Sequence, residues 1–138
     1  MSGINRREAG RAGEDAACLW LERGGYSVIR RNFAVRGGEI DIIAEDGSST
    51  LFIEVKLRKA GSMSRPAAAV TREKQRRISV AAAAYMAQFP LEKPPRYDVI
   101  ELTDNGGGNY LIRHIKGAFF GEPAAERRIR ESFRERYK

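Results

Sequence analysis

The chain's clearest apolar pattern is a pair of runs, Glu39 to Glu45 and Thr50 to Leu57, each rich in Ile, Leu, Val or Phe. Between them lie Asp46, Gly47, Ser48 and Ser49, residues that favour turns, so the pattern predicts strand, turn, strand. Centring the turn between Gly47 and Ser48 makes paired residue numbers sum to 95, which sets Asp41 opposite Glu54 and Glu39 opposite Lys56 on one face. Alternation turns Ile40, Ile42, Leu51, Ile53 and Val55 to the other face as an unbroken apolar surface. Ile43 and Phe52 share the face of the carboxylates, so a covering element must lie there, and the acids then stand at the border of a buried layer.

The remaining pattern supplies the elements around this hairpin. Residues from about Glu8 to Arg23 read as a helix, with Ala9, Ala12, Ala16, Leu19 and Trp20 on one stripe and Gly24 and Gly25 as a stop. Tyr26 to Val35 reads as a first strand, turning at Gly37 and Gly38 into the hairpin, which makes a three-stranded meander. Arg58 to Arg65 is a loop, and Pro66 suits the opening of a helical turn. Thr71 suits the cap of a long helix reaching about Phe89, with the stripe Val70, Ile78, Ala81, Ala82, Tyr85, Phe89. Lys74 lies four residues from Val70 and from Ile78, so its amine can reach from that stripe over the sheet. Leu91 to Pro95 is a proline-rich connector, Arg96 to Leu102 a strand, Thr103 to Asn109 a Gly-rich turn, and Tyr110 to Ile115 a last strand.

Composition adds bounds. The 138 residues fit one α/β domain over 1–120, with a mixed sheet flanked by helices, followed by a charged helical tail over 121–138. One cysteine, Cys18, excludes an internal disulfide and zinc-finger spacing. With no long apolar run and no signal-peptide pattern, a cytoplasmic protein without a membrane partner is expected. The net charge of +7 changes the picture through its distribution: Lys56 to Arg77 holds eight basic residues against Glu73 alone, which equals the whole excess. A positive rim of Arg58, Lys59, Arg65, Arg72, Lys74, Arg76 and Arg77 beside an acidic pair suits a phosphodiester backbone.

Two opposed carboxylates repel, a cost that a divalent cation would remove. Equally, Glu39 opposite Lys56 is what a cross-strand ion pair on a solvated face looks like, and spacing alone leaves both readings open. Other candidates read as structural. His114 is the only histidine, with no second His or Cys near it, and Cys18 sits among Ala16, Ala17 and Leu19 as a core residue. Asp98 suits an ion pair with an arginine better than the site. Trp20, Tyr26, Phe33 and Phe52 read as packing.

An acid on one strand, then Glu, any residue and Lys on the next, flanked by helices, resembles the PD-(D/E)XK nuclease superfamily, the fold of restriction endonucleases and archaeal Holliday-junction resolvases. More closely, the chain resembles the bacterial YraN-like family of uncharacterised proteins within it. The resemblance rests on Gly10, Gly13, Glu14, Ala16 and Ala17; on Asn32; on Gly38 through Ala44; on Phe52 through Lys56 with Arg58; on Lys74, Ile78 and Ala82; and on Arg96 through Val99. Ile40 stands where the superfamily's name places Pro. The resemblance implies a Mg²⁺-dependent DNA endonuclease acting on branched or structured DNA, with Mn²⁺ as a substitute metal. Asp41, Glu54 and the Val55 backbone carbonyl would hold the metal, Lys56 would stand beside the attacking water, and Glu14 would add an acid from the first helix. Lys74 and Gln75 match a helix position near the site. Symmetric junctions would suit a homodimer. The alternative, from another class, is a nucleic-acid-binding module that keeps the fold and does not cleave.

Overall fold

The computed structural model describes residues 6–61 and 70–121. Arg65, Pro66 and the tail 122–138 lie outside the described residues. Elements run α1 (Arg6–Arg23), β1 (Ser27–Val35), β2 (Gly38–Glu45), β3 (Thr50–Lys59), α2 (Arg72–Gln88), β4 (Pro95–Asp104) and β5 (Tyr110–Phe119), the order that the pattern predicts. Several strands extend further than their apolar runs. Pro95 opens β4, where a missing N–H is tolerated, and β5 continues to Phe119.

The five strands form one mixed sheet in sequence order. β1, β2 and β3 are the expected antiparallel meander, β4 runs parallel to β3, and β5 closes antiparallel to β4. A parallel neighbour needs a crossover, and α2 supplies it. The helices cover opposite faces. Under α1 lie Ile42, Ala44, Leu51, Ile53, Ile100 and Leu102 with Ala17, Cys18 and Leu21; under α2 lie Phe33, Ile40, Ile43, Phe52 and Tyr97 with Ile78, Ala81, Ala82, Tyr85 and Met86. Each large apolar side chain so buried contributes about 1.5–3 kcal/mol, and the two layers hold the sheet between them.

Two details depart from the sequence pattern. The stripe of α1 is rotated: Ala17, Cys18 and Leu21 are buried, while Ala12 and Leu19 are exposed. The helix lies close on the sheet at Gly13, where an added Cβ would stand 3.1 Å from Leu57, and Gly13, Ala17 and Leu21 face the sheet at i, i+4, i+8. The second departure is Ile40, which packs under α2 with Ile43 rather than under α1 with Ile42. The alternation of β1 and β2 slips at one level: Arg31 pairs with Ile42, Phe33 pairs with Ile40, and Asn32 and Asp41 lie between those pairs. Asn32 takes up the slip with φ of 53°, the left-handed region that Asn tolerates better than most residues.

Candidate metal and nucleic-acid site

The hairpin register holds as predicted for Glu45↔Thr50, Ala44↔Leu51, Ile43↔Phe52 and Ile42↔Ile53, and the ladder ends there. The next pair would be Asp41 opposite Glu54. Its place is taken by a side chain, because the Val55 N–H donates to Asp41 Oδ2 at 2.8 Å. Asp41 stands close enough to Glu54 for the charge of Glu54 to oppose ionisation of the Asp41 carboxyl. Burial pushes the Asp41 carboxyl up to about 8; the charge of Glu54 adds to the rise, the Val55 N–H opposes it, and Glu14 contributes further.

Glu14 reaches this end of the sheet because Gly13 lets α1 approach β3. Its Oε1 is buried without a hydrogen-bond partner, and burial raises its pKa, opposed by Arg31 and assisted by Asp15, Glu54 and Glu39. Three acids from α1, β2 and β3 therefore act on one another. Glu39 does not meet Lys56 across the hairpin; it pairs with Arg77 of α2 at 3.9 Å, because the ladder ends before that level and α2 lies over the strand.

Lys74 reaches over the sheet. Its Nζ lies 2.5 Å from Glu54 Oε1, where the Glu54 side chain is 7% exposed and that of Lys74 is 48% exposed. Burial acts to lower the ammonium's pKa, but the Glu54 hydrogen bond and the charges of Glu54, Asp41 and Glu39 outweigh it and hold it above the ordinary lysine range. Two features fix the start of α2. Thr71 caps it, with Oγ1 accepting from the Lys74 N–H at 3.1 Å. Gly38 lets β2 touch the helix backbone, since a Cβ there would meet Arg77 O at 2.4 Å and Ala81 N at 2.8 Å. Sequence reasoning took Gly38 as a turn residue, whereas its role is this close approach. Gln75 spends its side-chain amide on Val70 O at 3.0 Å, within the same helix start.

A cavity of about 10 Å³, lined by Glu39, Glu54, Lys74, Arg77 and Ile78, opens beside Glu54. It has room for one water or one bare cation. Among the described residues no group of three His, Cys, Asp or Glu side chains stands assembled as a metal cage. The donors nevertheless are the hard oxygens that a divalent cation prefers: the buried Asp41 carboxyl next to that of Glu54, and the unpartnered Oε1 of Glu14. Lys56 follows on β3, half-buried, in register with Glu101 of β4.

The basic rim divides. Lys59, Arg72 and Arg76 are exposed, and Arg77 is half-exposed beside Glu39. Arg58 is held instead in a buried pair with Glu101 at 3.1 Å, with side chains 11% and 4% exposed. Glu101 Oε2 has no partner. Sequence reasoning missed Glu101, whose acid comes from a strand far along the chain.

On the α1 face a second cluster surrounds Asp98, completely buried, which pairs with Arg96 at 2.9 Å and lies 2.7 Å from His114 Nε2. His114 is enclosed by Trp20 and Tyr26, consistent with the structural roles expected for these residues.

The chain matches the uncharacterised protein family UPF0102 over residues 13–102, which is the YraN-like family that the motifs resemble. It is similar to the UPF0102 protein of Symbiobacterium thermophilum, 44% identical over 82% of this chain and 97% of that one. Against the UPF0102 protein of Geobacter metallireducens it is 44% identical, over 84% and 95% of the two chains. Against that of Geobacter sulfurreducens it is 45% identical, over 78% and 84%.

Proposed function

Given a chain that belongs to the uncharacterised protein family UPF0102, we propose a metal-dependent DNA endonuclease that hydrolyses phosphodiester bonds in branched or otherwise structured DNA. One observation carries the reading: where the ladder of two adjacent strands stops, buried Asp41 stands next to Glu54, with Glu14 near enough for its charge to act on it. A buried carboxyl whose ionisation is opposed by neighbouring acids marks a site short of positive charge. Asp41 and Glu54 would hold Mg²⁺, or Mn²⁺ in its place, with Glu14 and the Val55 carbonyl completing the oxygen set. Such a cation supplies water activation and charge neutralisation at the phosphate.

The chain's own residues have separate tasks. Asp41 would give up its proton to become a ligand beside Glu54. Lys56, two residues after Glu54 and thus on its face, donates hydrogen bonds to the attacking water or to a non-bridging phosphate oxygen. Lys59, Arg72 and Arg76, with Arg65, grip the backbone around it. Arg58 serves the fold, since Glu101 holds it inside. A symmetric substrate would suit two copies of the chain.

The test is cleavage of linear, flapped and four-way DNAs with Mg²⁺, Mn²⁺ or EDTA. The wild type cleaves a structured DNA with either metal, and EDTA stops it. Asp41→Asn and Glu54→Gln abolish cleavage while leaving DNA affinity unchanged or raised, because a negative charge near phosphates has gone. Arg72→Ala with Arg76→Ala lowers the slope of log affinity against log salt by about two if both contact phosphates. Equal cleavage by wild type and acid variants would mean a contaminant. The second reading, a binding module that does not cleave, would then take over, and it already has one observation in its favour: Lys74 satisfies Glu54 without a metal.

A further inference from the structure

We propose that Lys74 is a resident counter-cation that occupies Glu54 against metal and yields it when its ammonium is drawn to a phosphate of bound nucleic acid. The inference rests on the metal reading above and adds to it a coupling between metal and DNA.

The geometry sets up an exchange. Glu54 is almost wholly buried, and the ammonium that neutralises it comes from a half-exposed side chain at the mouth of the cavity. With Nζ 2.5 Å from Oε1, Lys74 takes the lone pair that a cation entering through this mouth would use. The remaining space of about 10 Å³ is too small for a cation that keeps several waters, as Mg²⁺ prefers to.

The helix itself cannot retreat easily, because Thr71 caps it and Gly38 packs against its backbone. The lysine side chain is what can move, on a flexible four-carbon stem with three rotatable donors. Arg77, three residues on and so on the same side of the helix, lines the same cavity with a half-exposed side chain and marks the mouth at which a phosphate would lie. One ammonium cannot pair fully with Glu54 and with a phosphate at once. Drawing Lys74 outward therefore frees Glu54 for metal, and by linkage bound metal strengthens the grip on phosphate by the same factor.

Mn²⁺ binding, measured by calorimetry without any turnover, tests this. Lys74→Met keeps the stem and the backbone N–H that Thr71 accepts, and should bind Mn²⁺ about tenfold more tightly than wild type. A short DNA duplex should tighten Mn²⁺ binding in wild type by a larger factor than in Lys74→Met. Lys74→Gln should behave as Lys74→Met does, and the wild-type comparison with and without duplex needs no variant to fold. Equal Mn²⁺ affinity in wild type and both variants overturns the exchange and leaves the metal site standing. Weaker binding in the variants also overturns it, making Lys74 a support for the metal. No Mn²⁺ bound by any of the proteins, with or without DNA, removes the metal reading and the exchange with it.

Discussion

Asp41 on β2 and Asp98 on β4 both stand where the regular pairing of the sheet is interrupted, and the two are pushed in opposite directions. Asp98 lies at a register shift between Tyr97 and Val99. Burial acts to raise its pKa, but His114, both guanidinium contacts from Arg96 and the N–H of Gly117 outweigh it and bring the carboxyl down to about 2. Asp41 receives one N–H, from Val55, and otherwise faces Glu54 and Glu14, so it goes up to about 8. Burial acts the same way at both; the sign of the neighbours decides. A balanced buried charge holds structure together, and an unbalanced one awaits a partner.

The largest effect that would break this comparison is on stability. Asp98→Asn leaves Arg96 and His114 facing a neutral amide and is expected to cost about 3 kcal/mol in denaturant unfolding at pH 7, whether or not Mn²⁺ is present. The wild-type contribution of this group is present above pH 4 and is lost as pH falls towards 2, because its folded pKa is depressed. A near-neutral Asp98→Asn would mean that its network is as dispensable as a surface pair.

Asp41 should show the reverse sign. Its folded pKa is raised, so the stability it contributes is full below about pH 4 and is lost as pH rises through about 8. Asp41→Asn cannot titrate, and its stability relative to metal-free wild type should improve by more than about 1 kcal/mol between pH 4 and pH 8. Unfolding curves of both proteins across that range, in EDTA, measure the difference. A gap independent of pH would show that Asp41 is ionised throughout and that the site is not short of positive charge.

What the sequence revealed followed from local rules. The hairpin register needed only a turn and two apolar runs, and the reach of Lys74 needed only the phase of α2. The phase of α1 was not legible, because its Ala-rich sequence offers several faces of similar character and the deciding contact, Gly13 against Leu57, spans two elements. The burial of Arg58 depends on Glu101, supplied by a parallel strand after a crossover. The slip at Asp41 was hidden for a related reason: alternation in one strand says nothing of a matching slip in its neighbour. Its one local signal was Asn32, an Asn inside a predicted strand.

That slip gives the smallest effect and the sharpest test of how Asp41 is positioned. Asn32 holds φ at 53° within β1, beside Asp41 on β2, while the corresponding irregularity near Asp98 uses Gly117 at φ of 60°, which Gly adopts without strain. Asn32→Ala puts a residue less tolerant of the left-handed region into the same backbone and should cost about 1 kcal/mol. Asn32→Gly relieves the strain in the folded chain and loses more entropy on folding, so the two nearly cancel. If the left-handed residue is what aims Asp41 at Val55 and Glu54, Asn32→Gly should also keep the pH dependence assigned to Asp41. Asn32→Ala, where the backbone relaxes to regular alternation, should flatten it. Equal stability and equal pH dependence in both variants would mean that the slip is imposed by the packing of Ile40 and Phe33 under α2, with Asn32 only accommodating it.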